Sequence, residues 1–449
     1  MSVHWTVGGF LQPTKILKYR RLFARTQWYS REELAAFQLS RLQAIVDHAY
    51  HHVPYYRDLF RSLKLTPADI RQVRDLQKLP PLSKATARRE SRRLTADNAS
   101  RFRPALHRTS GSTGATHEFL LDREANALEF AYYWRYWNWA GYRLGDRFAE
   151  LSSVFFSREG FQHTPYVAQP ITGRLLLNSL SLTRQSAVAY AAAIGRHRAR
   201  FLKGLPSVVG ALARFLRDMG QDGPRLQAVF TTGELLLPSQ RVLIEGCFGC
   251  PVYDSYGQME RLVAISECPE RQMHVHSDYG LLECDDSDGS APGRTGSPQP
   301  TCLGTSLYNH SMPLLRYELG DCIELDEPGL RCACGRGFPV VRAIRGRVGT
   351  SLMTPDGRVV PTLFLVLRDV VGIETGQFIH EAADRLSLRV VASEAFTATE
   401  QARLLTLVRW HVGPSMSIEV ARVRPEDLIV EPSGKLQMIV SRVEAREGV

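Results

Sequence analysis

The chain has 449 residues, of which 44% are hydrophobic and 23% charged, with a formal net charge of +10 at pH 7. These proportions are typical of globular proteins and exclude a disordered chain, a collagen and a long coiled coil. The basic residues are interspersed with acidic ones, which argues against a nucleic-acid partner.

The length also predicts more than one domain, because a single core of this size is rare. No apolar stretch reaches the ~20 residues that cross a bilayer, so we expect no transmembrane segment. The first twenty residues lack the apolar region of a signal peptide. These features predict a cytoplasmic location. Aromatic and basic residues within 1–30 also allow peripheral contact with a membrane, although a docking arm is the simpler interpretation.

In chain order, the pattern changes twice. Residues 1–100 read as amphipathic helices and end at Pro80–Pro81 and Ser83, a predicted helix cap. From 101 to 345, short apolar runs alternate with helical stretches, which is typical of α/β layers. From 346 to 449 a hairpin signal, a strand, a helix and a strand follow one another. The sequence thus predicts a large α/β domain over 1–345, in which residues 283–304 form turns within a β-rich part, and a small α+β domain over 346–449.

Six short segments could carry chemistry. Glycines and hydroxyls at a strand end allow backbone N–H groups to approach an anion, and a carboxylate after a strand-terminal glycine can hold Mg²⁺. Taken singly, each also has a structural interpretation as a loop, a helix-terminal carboxylate or a turn. The segments are Thr109–Gly114 (TSGSTG), Phe230–Glu234 (FTTGE), Tyr253–Glu260 (YDSYGQME), Met312–Asp321 (MPLLRYELGD), Gly346–Arg347 and Pro432–Lys435 (PSGK).

The order of these segments resembles the adenylate-forming superfamily of acyl-CoA synthetases, peptide-synthetase adenylation domains and luciferases. Within it, HVPYYRDLF, DLQKLPPLSK, GYRLGDR and CACGRGFP are similar to the phenylacetate–CoA ligase branch, which includes CapK-like proteins of polysaccharide gene clusters. The resemblance runs from about residue 40 to the C-terminus. It implies an ATP-dependent enzyme that joins a carboxylic acid to AMP and then passes the acyl group to a thiol.

The resemblance also implies the binding roles. The first segment would hold the β- and γ-phosphates, the second and third would line the adenine, and Asp321 with Arg347 would bind the ribose. Glu260 would ligate a bridging Mg²⁺, which prefers oxygen ligands. The nucleotide-binding residues so implied are Ser110, Gly111, Ser112, Thr113, Gly114, Gly233, Glu234, Ser255, Tyr256, Gly257, Asp321 and Arg347.

Lys435 is the implied catalytic lysine, reaching from the small domain to the acyl carboxylate and the α-phosphate. It is the only lysine after residue 203 in an arginine-rich chain. A compact ammonium suits a transient charge-neutralising role that a planar guanidinium does not reproduce. The family's small domain rotates after adenylation, which would remove this lysine and open a path for the thiol.

The chain departs from the family pattern at two places. The acidic residue usual two positions after Arg347 is replaced by Gly349, which bears on the thiol-transfer step more than on adenylation. The lysine that many relatives carry after the TSGSTG segment is missing here, as is common in this branch. The aromatic run 132–139 lies where the family's acyl pocket begins, although some of its rings must be core at helical spacing.

All eight cysteines lie between residues 247 and 334, which does not suggest a disulfide scaffold. Three thiolates and one imidazole, from Cys268, His274, Cys332 and Cys334, suffice for a closed structural zinc site, and some relatives carry this set. His276 could replace His274, and buried thiols without metal are the alternative. The remaining cysteines we interpret as core or incidental, and HEAAD at 380–384 is not a zincin motif.

The sequence thus predicts an AMP-forming ligase that uses ATP and Mg²⁺, with coenzyme A as acceptor, a structural zinc ion, and a homodimer as one possible assembly. Two rivals stay open: transfer of the acyl group to a carrier protein or an amine, and a degenerate scaffold in polysaccharide biosynthesis. The acid itself is not predicted.

Overall fold

A computed structural model describes most of the chain, in thirteen stretches. They are 12–110, 116–156, 160–161, 163–233, 236, 238–284, 302–327, 329–345, 351–361, 363–392, 394–424, 427–429 and 438–443. The chain forms two compact units: unit 1 combines 1–108, 118–143 and 253–347, and unit 2 combines 109–117, 144–252 and 348–449.

Unit 1 begins with the predicted helices. Pro13 and Pro54 each occupy the first helical turn, where a missing N–H does no harm. Ser30 and Glu33 exchange side-chain and backbone hydrogen bonds in a capping box, and Ser83 caps the helix that follows the proline pair. The helices are α1 (Pro13–Thr26), α2 (Arg31–His52), α3 (Pro54–Ser62), α4 (Lys84–Arg89) and α5 (Ser91–Leu94), with 3-10 turns at Pro67–Asp69, Val73–Lys78 and Ala99–Phe102.

Helix α6 (Arg123–Trp139) contains the aromatic run of the sequence. Asp122 caps its first turn, accepting from Ala125 N at 2.8 Å. The rings of Tyr132, Tyr136 and Trp137 are buried, so this helix forms core in unit 1, as the helical spacing predicts.

Eight strands of unit 1 pair antiparallel, in two groups. Five strands lie in the order β14-β15-β10-β9-β8, and three more form a sheet in the order β11-β12-β13. Their bounds are β8 (Val252–Gly257), β9 (Ala264–Glu267), β10 (Met273–Val275), β11 (Gly280–Glu283), β12 (Leu303–Ser306), β13 (Tyr317–Glu318), β14 (Cys322–Leu325) and β15 (Val340–Arg345). A further two-stranded sheet pairs β1 (Ala105–Ser110) with β2 (Thr116–Leu121).

Unit 2 contains the parallel layer that alternating strands and helices predict. Strands β7, β6, β3 and β5 run parallel in that order, and β4 is antiparallel at the edge. One face packs on the helices in an apolar cluster that includes Leu151, Leu202 and Val229. The elements are β3 (Phe148–Ser152), β4 (Tyr166–Gln169), β5 (Arg174–Asn178), α7 (Arg184–His197), β6 (Phe201–Gly204), α8 (Pro206–Asp218), β7 (Ala228–Thr232) and α9 (Pro238–Phe248).

The C-terminal part has an apolar core of its own, from Leu352 to Ile439. The predicted hairpin, strand, helix and strand are confirmed: they are β16–β17, β19, α10 and β20. The sheet order is β20-β19-β18-β21, in which only β18 and β19 pair antiparallel. The bounds are β16 (Ser351–Met353), β17 (Val359–Pro361), β18 (Ile373–Ala382), β19 (Arg385–Ala392), α10 (Ala398–Val412), β20 (Ser417–Arg422) and β21 (Ile439–Ser441), with a 3-10 turn at Leu363–Asp369.

Across the stretches that the structure describes, no helix combines the length and apolarity needed to cross a membrane. The predicted domain boundary falls within residues 346–350, which lie outside the described stretches, and stays a prediction.

Candidate functional site

Two residues from the predicted nucleotide site are joined directly in unit 1. Tyr256, near the end of β8, donates its phenolic hydrogen to Oδ2 of Asp321 at 2.9 Å. Burial raises the pKa of Tyr256 well above its usual range, and the Asp321 carboxylate raises it further. The phenol therefore remains a hydrogen-bond donor at any physiological pH. Its partner is a half-buried carboxylate with capacity for further hydrogen bonds.

Asp321 occupies a tight turn whose backbone is firmly held. Gly320 has φ of +76°, a left-handed value that favours glycine, which explains the Leu-Gly-Asp sequence. On one side Cys302 N donates to the Asp321 carbonyl at 3.3 Å and Leu319 N donates to the Cys302 carbonyl at 3.0 Å. Lys84 donates to the Leu319 carbonyl at 2.7 Å. The carboxylate therefore lies directly before β14, on a backbone that these hydrogen bonds hold in place.

Glu260 lies in the turn that follows β8, not in the first turn of a helix. The turn is closed by Arg261 N donating to the Gln258 carbonyl at 3.1 Å. The hydroxyl of Tyr317 donates to Glu260 Oε1 at 3.5 Å. Tyr317 belongs to the same RYELGD segment as Asp321, so the two carboxylates are held by neighbouring parts of one unit. Half-buried carboxylate oxygens of this kind can bind a hard divalent cation.

The other nucleotide-site predictions receive less structural description. Ser255 is buried and Gly257 half-buried on β8, close in sequence to Tyr256. In unit 2, Gly233 follows β7 with φ of +88°, a turn conformation that favours glycine. Ser110 ends strand β1. The remaining predicted residues lie outside the described stretches: Gly111, Ser112, Thr113, Gly114, Glu234, Arg347, the Gly349 departure and Lys435.

The second site is a cluster of three thiols and one imidazole, also in unit 1. One potential ligand atom from each of Cys268, His274, Cys332 and Cys334 lies within 4.8 Å of the others. Cys268 follows β9, His274 lies on β10, and the two remaining cysteines lie between β14 and β15. The Cys268 and Cys332 sulfurs are 3.7 Å apart, and Cys334 Sγ is 3.4 Å from His274 Nε2. Antiparallel pairing thus gathers residues that are distant in sequence.

The surroundings of the cluster favour a neutral imidazole. Burial lowers the pKa of His274 to about 4. Its Nδ1 lies 3.2 Å from the Phe338 carbonyl, so an Nδ1–H donor to that oxygen leaves Nε2 facing the thiols. Burial raises the pKa of Cys268 to about 12. For Cys334 burial acts in the same direction, but hydrogen bonds from Arg336 and Cys332, together with the charge of Arg336, lower the pKa of that thiol.

His276, the alternative ligand from the sequence, has a different environment. One ring nitrogen contacts the Arg135 guanidinium and the other lies 2.5 Å from the Ser266 hydroxyl oxygen. Arg135 in turn forms a buried pair with Asp278, with contacts of 2.5 and 2.9 Å. The structure therefore assigns His274 to the cluster and His276 to a buried charge network.

One contact had no signal in the sequence. Cys284 and Cys302, interpreted from the sequence as core or incidental, have their sulfurs 2.9 Å apart. Only the pairing register of β11 with β12 reveals this contact, because the two cysteines are separated in the chain by residues 285–301.

No family model matches the chain. Among curated proteins, phenylacetate-coenzyme A ligase of Thermus thermophilus is 26% identical over 396 residues, or 82% of this chain and 83% of that protein. Protein CapK of Staphylococcus aureus is 21% identical over 308 residues, or 66% of this chain and 64% of CapK.

Among solved structures, the fold is similar to that of 2-hydroxyisobutyryl-CoA ligase in complex with 2-HIB-AMP and CoA. The TM-score is 0.58 at 20% identity, covering 93% of this chain and 91% of that one. This likeness confirms the predicted α/β fold. The two relatives confirm the predicted resemblance to the adenylate-forming superfamily, in its phenylacetate–CoA ligase branch.

Proposed function

We propose that this protein activates a carboxylic acid as an acyl-adenylate and transfers the acyl group to coenzyme A. The observation that carries the proposal is the Asp321 carboxylate, which accepts a hydrogen bond from Tyr256 at the start of β14. In a family that binds ATP, a fixed carboxylate of this kind suits the two ribose hydroxyls, because it can accept a hydrogen bond from each. Glu260 lies in the same unit.

In the first half-reaction, an oxygen of the acid attacks the α-phosphorus of ATP. A new P–O bond forms, the bond to the β-phosphate oxygen breaks, and pyrophosphate leaves. Both reactants are anionic, so catalysis consists chiefly of positioning and charge neutralisation. Asp321 and Arg347 would hold the ribose, and Gly233, Glu234, Ser255, Tyr256 and Gly257 would line the adenine.

The phosphates would lie against the TSGSTG segment, Ser110 to Gly114, through backbone N–H groups and hydroxyls. Glu260 would hold Mg²⁺, whose chemical contribution is to neutralise phosphate charge. Lys435 would supply a positive charge at the acyl carboxylate and α-phosphate. The C-terminal domain from residue 346 would carry that lysine in and out of the site.

In the second half-reaction, the coenzyme A thiolate attacks the acyl carbon, the thioester forms and AMP leaves. Support comes from relatives and neighbours named as CoA ligases. Gly349 stands in place of the usual acidic residue. We therefore expect any departure from the family's reaction to affect thiol transfer more than adenylation. A carrier-protein thiol or an amine is the alternative acceptor, and AMP production that does not depend on coenzyme A would favour it.

The test is pyrophosphate release with a panel of aryl and short-chain acids, comparing native protein with Lys435→Ala. We expect a loss of ~10²–10³-fold, the scale of removing one charge-stabilising group. Lys18→Ala, at an exposed lysine of α1, is the matched control and should retain full activity. Equal rates for native protein and Lys435→Ala would remove Lys435 from the mechanism. Absence of pyrophosphate release with every acid would favour the scaffold alternative.

We also propose that the Cys/His cluster holds a structural zinc ion. At ~2.3 Å Zn–S and ~2.0–2.1 Å Zn–N, tetrahedral ligands lie about 3.8 Å apart for two sulfurs and about 3.6 Å for sulfur and nitrogen. Two of the six donor–donor separations in the cluster are 3.7 and 3.4 Å, and all six are within 4.8 Å. The donor set thus fits zinc, and with four protein ligands the ion would cross-link strands rather than take part in the reaction.

A further inference from the structure

Cys284 and Cys302 lie directly opposite each other at the end of the β11–β12 pair. Glu283 pairs with Leu303, so the antiparallel register continues to the two cysteines. Both are thiols, and their sulfurs are 2.9 Å apart. A disulfide needs about 2.05 Å, so the bond would require the two sulfurs to approach by less than one ångström.

The backbone at this position is the type that accommodates a disulfide. Both polar groups of Cys302 are engaged on the side away from β11: its N–H donates to Asp321 and its carbonyl accepts from Leu319 N. Cys284 and Cys302 are therefore a non-hydrogen-bonded antiparallel pair. Cα atoms in such a pair lie ~4.5 Å apart, within the ~4.4–6.8 Å range of disulfides.

The two thiols differ in access. Cys302 is buried, and its sulfur accepts from Ile323 N at 3.2 Å. Its one S–H can donate either to the Ile323 carbonyl at 3.4 Å or to Cys284 Sγ at 2.9 Å. Cys284 is half-buried at the end of β11. A small oxidant can therefore reach Cys284 first, and Cys302 is placed to react with the product.

The other described thiols have different settings. Cys268, Cys332 and Cys334 belong to the proposed zinc cluster, where a bound metal would shield them. Burial raises the pKa values of Cys247 and Cys250, the latter to about 12, which suppresses their nucleophilic thiolate forms.

We propose that Cys284 and Cys302 form a reversible disulfide in response to peroxide. We further propose that this bond constrains the backbone at the start of β14, where Asp321 lies. The Cys284 thiolate attacks a peroxide oxygen and becomes a sulfenic acid, while hydroxide leaves and takes up a proton as water. The Cys302 thiol then attacks the sulfenic sulfur, the S–S bond forms, and a second water leaves. Two electrons pass from the two thiols to one peroxide, and a dithiol reductant reverses the step.

The bond would act on Asp321 through Cys302. Oxidation removes the S–H donor to the Ile323 carbonyl, so two acceptors then face each other. Ile323 follows Asp321 by two residues, and Cys302 N is bonded to the Asp321 carbonyl. Moving the Cys302 sulfur toward Cys284 therefore strains the turn that holds the carboxylate.

The chemical test uses the full chain, supplied with zinc, treated with graded hydrogen peroxide, alkylated and digested with trypsin without reduction. Cleavage at Arg294 separates the two cysteines, so the bond links peptide 272–294 to peptide 295–316. Cys268, Cys322 and the Cys332–Cys334 pair fall on three other peptides, 262–271, 317–331 and 332–336. We expect the 272–294/295–316 link as the first disulfide formed, and its loss in Cys284→Ser but not in Cys247→Ser.

First links elsewhere, such as Cys302 to Cys322 or within the metal cluster, would overturn the proposal. So would sulfinic acid at Cys284 without any disulfide. Cys284→Ser is the main variant because its side chain is half-buried, and unchanged thermal unfolding would show that it folds.

A second readout, ATP affinity, rests on the proposed function. We expect oxidation to weaken ATP binding ~2–10-fold, the scale of one perturbed hydrogen bond, reversibly and not in Cys284→Ser. A disulfide with unchanged ATP affinity would refute the coupling to Asp321. If the reduced protein binds no ATP, the proposed function fails while the peptide map still decides the disulfide.

Discussion

The Cys/His cluster and the Tyr256–Asp321 pair are built on the same antiparallel sheet of unit 1, yet they differ in enclosure. The cluster's four donors face one another within 4.8 Å, and Cys268 and His274 are fully buried. The Tyr256–Asp321 pair is half-buried and consists of one donor and one charged acceptor. A closed set of donors saturates an ion, whereas a half-buried carboxylate has lone pairs that can accept from an additional ligand. Under the proposed function, one sheet would supply both a structural metal site and a nucleotide-binding site.

The largest expected effect concerns the Cys/His cluster. Cys332→Ser removes one ligand, and we expect loss of bound zinc and a fall in melting temperature of at least ~5 °C, because metal binding contributes to folding stability. Metal content by mass spectrometry and thermal unfolding measure the two effects. Zinc-free native protein with full stability would reject the site.

The two histidines supply the matched control for this prediction. His274→Asn should lose zinc as Cys332→Ser does. His276→Asn should retain one zinc per chain and lose stability only, because it removes contacts with Arg135 and Ser266. If His276→Asn lost the metal and His274→Asn retained it, the ligand assignment would be wrong.

The contrast between these histidines shows where sequence reasoning ends. Spacing along the chain indicated a cysteine-rich site but could not separate residues 274 and 276, since both lie near β10 and share the same side-chain chemistry. The folded structure decides, because it places the His274 ring against the Cys334 thiol and the His276 ring against Arg135 and Ser266. In contrast, helix caps at Ser30 and Ser83 and the C-terminal α+β elements are encoded locally by capping residues and hydrophobic period. The Cys284–Cys302 contact depends on register alone.

The next largest effect concerns the Tyr256–Asp321 pair. Asp321→Asn keeps the shape of the side chain but removes its charge, so charge-assisted hydrogen bonds to the nucleotide would become neutral ones. At ~1.5–3 kcal/mol for such bonds, we expect a loss of ~10–100-fold in kcat/KM for ATP. Pyrophosphate release at varied ATP measures the change, and zinc content should stay at the native value. An unchanged kcat/KM would show that Asp321 does not bind the nucleotide. The Tyr256–Asp321 pair would then not differ from the Cys/His cluster by binding a substrate.

The smallest effect tests how the Tyr256–Asp321 pair is organised. Tyr256→Phe keeps the buried ring and deletes only the hydroxyl that donates to Asp321, so we expect a loss of ~3–10-fold in kcat/KM for ATP. Tyr190→Phe is the matched control: it deletes a buried hydroxyl that donates to the Asn178 carbonyl at 2.8 Å in unit 2, and should lower stability without raising KM for ATP.

The double variant Tyr256→Phe/Asp321→Asn distinguishes two roles for this tyrosine. If the hydroxyl acts by fixing the carboxylate, its deletion should have little further effect once the charge of Asp321 is gone, since coupled residues in contact are not additive. Equal losses from Tyr256→Phe in both backgrounds would instead mean that the phenol contacts the nucleotide itself. In that case the Tyr256 hydroxyl and the Asp321 carboxylate would bind the nucleotide independently. The pair would then differ from the Cys/His cluster in offering two separate contacts to its ligand, and not one carboxylate that the tyrosine orients.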